Sequence, residues 1–262
     1  MKKENVVTAE AIRADPYGFT YKEYAAALGE EEAKRSFAAL YGRKRDKSLA
    51  TLSVRTVYRG TDTDKYLFEL PDGKLIETVC IKRRDGATVC VSTQVGCPLG
   101  CVFCESGRNG FVRNLAPSEI VQQVILIPRR VTRIVFMGMG EPLFNYDNVI
   151  QAIHILRDRN GLDSPTDGIT ISTTGPLDRL KRLREEHLKI NSPCRFTLQR
   201  KRCGTASSPE PRIIRLKMLS ARCFPIRSGT TARSSLHICS CRGSMTDLPI
   251  SETLRGGSAR KT

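Results

Sequence analysis

Three cysteines within one short stretch, Cys97, Cys101 and Cys104, limit what this chain can fold into more than any other feature. Their CxxxCxxC spacing places three thiolates on one loop. Such a loop can hold three irons of a four-iron cluster and leave the fourth iron without a protein ligand. The spacing also leaves open a zinc site or an incidental cysteine-rich loop. Structural zinc, however, takes four ligands, and no second CxxC or HxxxH follows at zinc-ribbon spacing.

The middle of the chain alternates between strand-like and helix-like segments, which predicts parallel βαβ units and an α/β fold. The pattern predicts strands over 87–94, 132–136 and 168–172, and helices over 117–126, 148–159 and 176–187. The carboxyl ends of such strands carry the functional loops. The cysteine loop, a glycine-rich turn and a Ser-Thr-Thr-Gly turn all follow predicted strands.

The first ninety residues lack this alternation. Residues 8–45 carry an apolar stripe at helical spacing, interrupted near Gly29, and are expected to form a helical segment of about 1–50. Residues 52–94 read as strands, with a turn at Pro71-Asp72-Gly73. This part is expected to be a small helical segment followed by a β extension.

Composition sets further limits. No run of 18 apolar residues occurs and no apolar signal-peptide core follows Met1, so a cytoplasmic protein without a membrane partner is expected. Ten cysteines in such a protein favour metal or redox chemistry over disulfides. The net charge is +16, but residues 191–262 hold 14 Lys and Arg against 3 Asp and Glu, so the total is weak support for nucleic-acid binding.

The residues around the cysteines resemble those of a known family. Its motifs are found as Cys90-Val-Ser-Thr-Gln-Val-Gly-Cys97-Pro-Leu-Gly-Cys101-Val-Phe-Cys104, Gly110-Phe-Val-Arg-Asn-Leu115, Met137-Gly-Met-Gly-Glu-Pro-Leu143 and Asn145-Tyr-Asp-Asn-Val149. From about Leu52 to Ile190 the chain is similar to the dual-specificity RNA adenine methyltransferases of the radical S-adenosylmethionine (SAM) superfamily. The resemblance implies a partial (β/α) barrel with a [4Fe-4S] cluster and SAM as cofactors.

The resemblance also implies roles for single residues. Cys97, Cys101 and Cys104 match the cluster ligands. Gly140 and Glu141 match the turn that binds the amino group of SAM, and Ser172 matches another cofactor contact; without the family, these are an ordinary βα turn and a capping hydroxyl.

Two further matches concern catalysis. In the family, a methyl group on a cysteine near the C-terminus is activated by a radical and joined to adenine, and a second cysteine resolves the covalent link. Cys90 matches that resolving thiol, and Glu77 matches a carboxylate proposed to accept a proton from the adduct. On their own, Cys90 reads as a small buried hydrophobe and Glu77 as the solvent-facing residue of a strand. Cys80, His154 and His187 are expected to be structural.

The implied activity is methyl transfer to carbon 2 of adenine in ribosomal and transfer RNA. The implied partners are the RNA, an electron donor such as a flavodoxin, and no second subunit. Two alternatives stay open. One is methylation of carbon 8, as in the related antibiotic-resistance group, and the other is a non-catalytic fragment that at most binds a cluster.

The resemblance stops abruptly near Asn191. The residues from Asn191 to Thr205 can be translated back into the codons that could encode them. When the third base of each codon is joined to the first two bases of the next codon, the new codons can encode LALSLHAPTQKVRD, which continues the family pattern. The gene, or its reading, is therefore expected to change frame at residues 190–191. On this interpretation 51–190 is an incomplete core that lacks its last strands, and 191–262 is a wrong-frame tail without regular structure. The tail's five cysteines then have no assigned role, and the methyl-carrying cysteine is absent.

Overall fold

The computed structural model describes residues 7–42, 45–99, 101, 104–108, 110–163, 168–173, 176–186, 188 and 195–196. It begins with three helices, α1 (Ala9–Ala14), α2 (Tyr21–Leu28) and α3 (Glu30–Tyr41). The sequence predicted the interruption near Gly29 but not the one before α2. Pro16 cannot continue a helix, and Thr20 starts α2 afresh through a capping box with Glu23.

Seven strands form the main sheet. In their order across it they are β1 (Ser53–Arg59), β2 (Thr63–Glu69), β3 (Leu75–Arg83), β4 (Gly86–Cys90), β7 (Val131–Phe136), β8 (Ile169–Thr173) and β9 (Arg195–Phe196). The first four pair antiparallel and the last four pair parallel. Helices α4 (Pro117–Ile125), α5 (Tyr146–Arg157) and α6 (Leu177–Glu185) connect the parallel strands. The predicted α/β alternation is confirmed.

One predicted strand is two. Residues 87–94 were expected to run as one strand into the cysteine loop, but β4 ends at Cys90 and a separate β5 (Gln94–Gly96) pairs with β6 (Phe111–Asn114). The chain leaves the sheet in between because Val91 and Thr93 bind the glycine-rich turn: Gly138 N donates to Val91 O (3.0 Å) and Thr93 N donates to Met139 O (2.8 Å).

The two faces of the sheet differ in burial. One face is packed against α4 and α5 and holds most of the large buried side chains of the strands, among them Tyr66, Phe68, Ile76, Val89, Ile134, Phe136, Ile169 and Ile171. Residues of the other face are half-buried in β3 and β8, alternating with buried ones. Among the described residues no strand follows β9, so this second face, called here the open face, is not enclosed by a closed barrel.

The N-terminal helices pack into the same core. Phe37 lies edge-to-face with Tyr24, with ring centroids 5.0 Å apart. Gln151 Nε2 on α5 donates to Glu23 Oε2 (2.7 Å), and Arg45 Nε donates to Ile125 O at the end of α4 (3.1 Å). These contacts join the helical segment to the helices that cover the sheet.

Candidate cofactor and catalytic site

The cysteine loop is held at its start by the small β5–β6 sheet. Cys97 N donates to Gly110 O at 3.0 Å. Gly96 has φ +74°, and a Cβ there would lie 1.8 Å from Gly110 O. The backbone approaches so closely that only glycine fits at position 96. The sequence motif therefore contains a glycine for a steric reason as well as three cysteines for a chemical one.

The three thiols lie near one another. Cys104 N donates to Cys101 O at 3.0 Å and closes a turn that brings these two residues together. Cys97 is 7% exposed. Burial raises its pKa, and the neighbouring thiols of Cys101 and Cys104 raise it further; burial and then Cys104 raise the pKa of Cys101. The thiols of Cys101 and Cys104 thus oppose the ionisation of Cys97, and the thiol of Cys104 opposes that of Cys101.

This arrangement fits an iron–sulfur cluster. Iron binds thiolates, and its positive charge would favour the thiolate form that burial and the neighbouring thiols disfavour in Cys97 and Cys101. Within the described residues, no three His, Cys, Asp or Glu side chains converge as the ligands of one metal ion would. A four-iron cluster takes one thiolate per iron and does not require such convergence.

The glycine-rich turn after β7 lies against the segment between β4 and β5. A Cβ on Gly138 would come within 2.7 Å of the main chain of Val91, and a Cβ on Gly140 within 2.6 Å of Gln94 Cβ. Gly140 has φ +98°, which L side chains rarely adopt. Both glycines are therefore needed for the backbone to pack at this point. Gly140 is also predicted to let the backbone approach SAM closely, and this role is separate from the packing requirement.

Glu141 follows this turn and is 3% exposed. Its Oε1 accepts hydrogen bonds from Leu143 N (3.1 Å) and from the Thr173 hydroxyl at the end of β8. Its charge also raises the pKa of Cys97 and Cys101, although less than burial does. The structure thus brings the predicted cofactor carboxylate beside the predicted cluster ligands. Thr173 is a contact that the sequence did not predict.

Glu77, Cys90 and Ser172 all lie on the open face of the sheet. Cys90 is directly opposite Val79 on β3 and Val135 on β7, and Val135 is opposite Thr170 on β8. Paired residues share a face, as do residues two apart on one strand. Glu77 and Ser172 are each two residues further toward the carboxyl edge, about 7 Å along the strands. Three residues far apart in sequence therefore face the same space.

Glu77 and Cys90 have different surroundings. The Glu77 carboxylate is about half-exposed and pairs with Lys65, with Nζ and Oε1 2.9 Å apart. Cys90 is half-buried, and burial raises the pKa of its thiol to about 11. Cys90 is therefore a neutral thiol at neutral pH and needs deprotonation before it can act as a nucleophile.

Buried amide side chains hold these pieces together, and the sequence did not single them out. Gln123 on α4 accepts from Thr78 Oγ1 (2.7 Å) and from Ser92 N (2.8 Å), and donates to Ser92 O (3.0 Å). Ser92 Oγ in turn donates to Glu77 O (2.6 Å). Asn145 Nδ2 donates to Thr93 O (2.8 Å) and to Leu115 O (2.7 Å). The available signal was a polar residue inside an apolar run, as in Ile-Val-Gln-Gln-Val-Ile.

Fold and site together define an α/β enzyme core of the (β/α) barrel type, with a three-cysteine loop and a buried carboxylate at the carboxyl edge of the sheet. The family model of the Radical SAM superfamily matches residues 91–231, more than half of the chain. The chain belongs to the radical SAM superfamily, whose members use a [4Fe-4S] cluster and SAM.

Individual relatives agree with this placement. A "Probable RNA methyltransferase" of Rhodopseudomonas palustris (strain BisB5) is 52% identical over 151 residues, which cover 58% of this chain and 42% of the relative. A "Probable dual-specificity RNA methyltransferase RlmN" of Dictyoglomus turgidum is 47% identical over 136 residues, covering 49% and 39%. The crystal structure of a radical SAM methyltransferase from Sphaerobacter thermophilus superposes with a TM-score of 0.61 at 32% identity, covering 69% of this chain and 62% of that one.

The chain spans about two fifths of the length of these two curated relatives. The described helices include none that is long and apolar enough to cross a lipid bilayer. Most of the predicted wrong-frame tail lies outside the described residues, as does His187. The two described tail residues, Arg195 and Phe196, form β9 beside β8.

Proposed function

We propose that residues 51–190 are the core of an RNA methyltransferase that transfers a methyl group to carbon 2 of adenine in ribosomal and transfer RNA. Residues 1–50 form its helical segment. The protein works in the cytoplasm as a monomer and receives electrons from a donor such as a flavodoxin. The relatives named as RNA methyltransferases support the reaction class, and the placement of the candidate residues supports their roles.

The proposal gives each candidate residue one task. Cys97, Cys101 and Cys104 hold the cluster. When bound, the cluster and SAM supply a one-electron cleavage of the cofactor, which begins the radical chemistry. Gly140 lets the backbone approach SAM, and Glu141 and Ser172 contact the cofactor.

Glu141 takes a hydrogen bond from the amino group of SAM, and Ser172 is a further contact to the cofactor. Glu77 accepts the proton that leaves the ring carbon. Cys90 resolves the covalent link to RNA once its thiol is deprotonated.

The shared open face is the observation that carries the proposal. Glu77 and Ser172 lie on strands that are three positions apart, about 14 Å, with Cys90 between them. A flat adenine reaching the sheet between these strands would meet the carboxylate and the thiol on the same side. The cluster loop and Glu141 stand at the carboxyl edge of that face.

The predicted change of frame near residue 190 gives a second candidate for the chain as it stands. Regrouped codons would place Ser-Leu-His at positions 194–196, where the structure has β9. On this interpretation none of the cysteines in 191–262 can carry the methyl group from which hydrogen is abstracted. The 262-residue chain is then a cluster-binding fragment that does not methylate RNA.

Anaerobic turnover with reductant, methyl-labelled SAM and unmodified ribosomal RNA tests both candidates. The frame-restored protein should place label on carbon 2 of adenine, and the 262-residue chain should not. Cys90→Ala should abolish transfer in the frame-restored protein, whereas Cys80→Ala, a buried cysteine on the opposite face, should not. Label on carbon 8 of adenine would show that the methyl group goes to carbon 8 and not to carbon 2. Labelled adenine from the 262-residue chain would refute the frame interpretation, and an unlabelled product from the restored protein would refute the function.

A further inference from the structure

One tyrosine of the β extension points away from the core. Tyr58 on β1 is 57% exposed, whereas Tyr66 and Phe68 on the neighbouring strand are 3% and 0% exposed. Tyr58 is directly opposite Lys65, which is opposite Val79. Because Val79 is opposite Cys90, the tyrosine lies on the open face, in the same row across the sheet as Cys90.

The row sets the distance between the ring and the candidate site. Tyr58 and Cys90 are three strand positions apart, or about 14 Å at 4.8 Å per strand. Stacked nucleotides of one strand advance about 3.4 Å each, so this distance corresponds to about four nucleotides. A nucleotide close to a target adenine at Cys90 and Glu77 can therefore reach the ring of Tyr58.

Lys65 lies beside that ring, and Arg55 stands three residues before Tyr58 on the same strand. Lys65 Nζ lies 5.2 Å from the ring centroid and also pairs with Glu77. Arg55 stands at a β-bulge between Val54 and Thr56, which redirects its side chain. The Arg55 side chain remains 63% exposed although it pairs with Glu69. An exposed aromatic ring beside cations is the combination that holds unpaired bases and their phosphates on a sheet.

We propose that Tyr58 is a stacking position for an unpaired base of the RNA near the target adenine, with Lys65 and Arg55 beside its phosphates. This inference rests on the proposed function, because the occupant is that enzyme's RNA substrate. A surface tyrosine that serves only to pair with Lys65 is the competing explanation. If that explanation holds, removing the ring of Tyr58 leaves RNA binding unchanged.

Binding of a single-stranded RNA that carries 2-aminopurine to the full 262-residue chain tests the proposal. Stacking on an aromatic ring quenches the fluorescence of this base. Tyr58→Leu removes the aromatic face and keeps an apolar side chain, and Tyr58→Phe keeps the face and removes only the hydroxyl. Measurement at raised salt suppresses the non-specific contribution of the basic residues in 191–262, because phosphate contacts weaken as salt rises.

The unchanged chain and Tyr58→Phe should quench the fluorescence and bind alike. Tyr58→Leu should bind about tenfold more weakly and lose most of the quenching, as expected for one lost base–ring stack. RNA binding with equal affinity and quenching in Tyr58→Leu would overturn the stacking site and leave the proposed function standing. A total lack of RNA binding by the unchanged chain would count against both.

Discussion

Gln94 Oε1 accepts a hydrogen bond from Glu141 N at 2.9 Å, although the two residues are 47 positions apart in the chain. Gln94 begins the strand that leads into the cysteine loop, and its Nε2 donates to Asn114 Oδ1 (2.8 Å) on the partner strand. Glu141 is the buried carboxylate beside the cysteines. One buried amide therefore sets the position of the carboxylate turn relative to the cluster loop.

Gln94→Leu should lower the free energy of unfolding by about 1–3 kcal/mol, because it leaves the buried amide of Glu141 without an acceptor. Urea unfolding measures the loss. Equal stability of the leucine variant and the unchanged chain would show that this hydrogen bond does not hold the turn.

Gly96→Ala should disrupt the β5–β6 pairing and prevent cluster loading, since the added Cβ would lie 1.8 Å from Gly110 O. Gly110→Ala is the matched control. Gly110 also has a positive φ (+69°), but an added Cβ there meets nothing within 4 Å, so only the backbone strain of about 1 kcal/mol is expected. Iron content after anaerobic reconstitution separates the two variants, and normal loading of Gly96→Ala would contradict the loop geometry.

Cys90 should react slowly with iodoacetamide at neutral pH. Its pKa is raised to about 11, and only the thiolate reacts. The alkylation rate should therefore still rise about tenfold per pH unit between pH 9 and 10 in the folded chain. In urea, where the thiol regains its ordinary pKa, the rate should level off near pH 9. Peptide mapping separates the alkylation of Cys90 from that of the other cysteines. A folded-state rate that levels off below pH 9 would show that the thiol is not protected by burial.

Much of the fold follows from local patterns. The apolar segments around Ile134 and Ile171 and the intervening helical stripes predict parallel βαβ units, and the structure has them within two residues of the predicted ends. The glycine-rich turn was predicted at the carboxyl end of a parallel strand, where it is found, whereas the cysteine loop follows the separate strand β5. These features depend on residues that are neighbours in sequence.

The contacts that assemble the site depend on residues far apart. Gln123 and Ser92 are 31 positions apart, and Glu141 and Thr173 are 32 apart. Each is a common polar residue whose partner is fixed only when the strands pair. Sequence patterns identify which strands form but not the side-chain partners across them, so Thr173 and Gln123 were not predicted.

Iron and sulfide binding by the chain tests the central claim most directly. After anaerobic reconstitution the 262-residue chain should hold about four irons and four sulfides, with one ligand from each of Cys97, Cys101 and Cys104. Replacing any one of these three by Ala should abolish the cluster, whereas Cys80→Ala and Cys90→Ala should retain it. Circular dichroism checks that each variant is folded. Stoichiometric zinc without iron, or a full cluster in Cys97→Ala, would contradict the account.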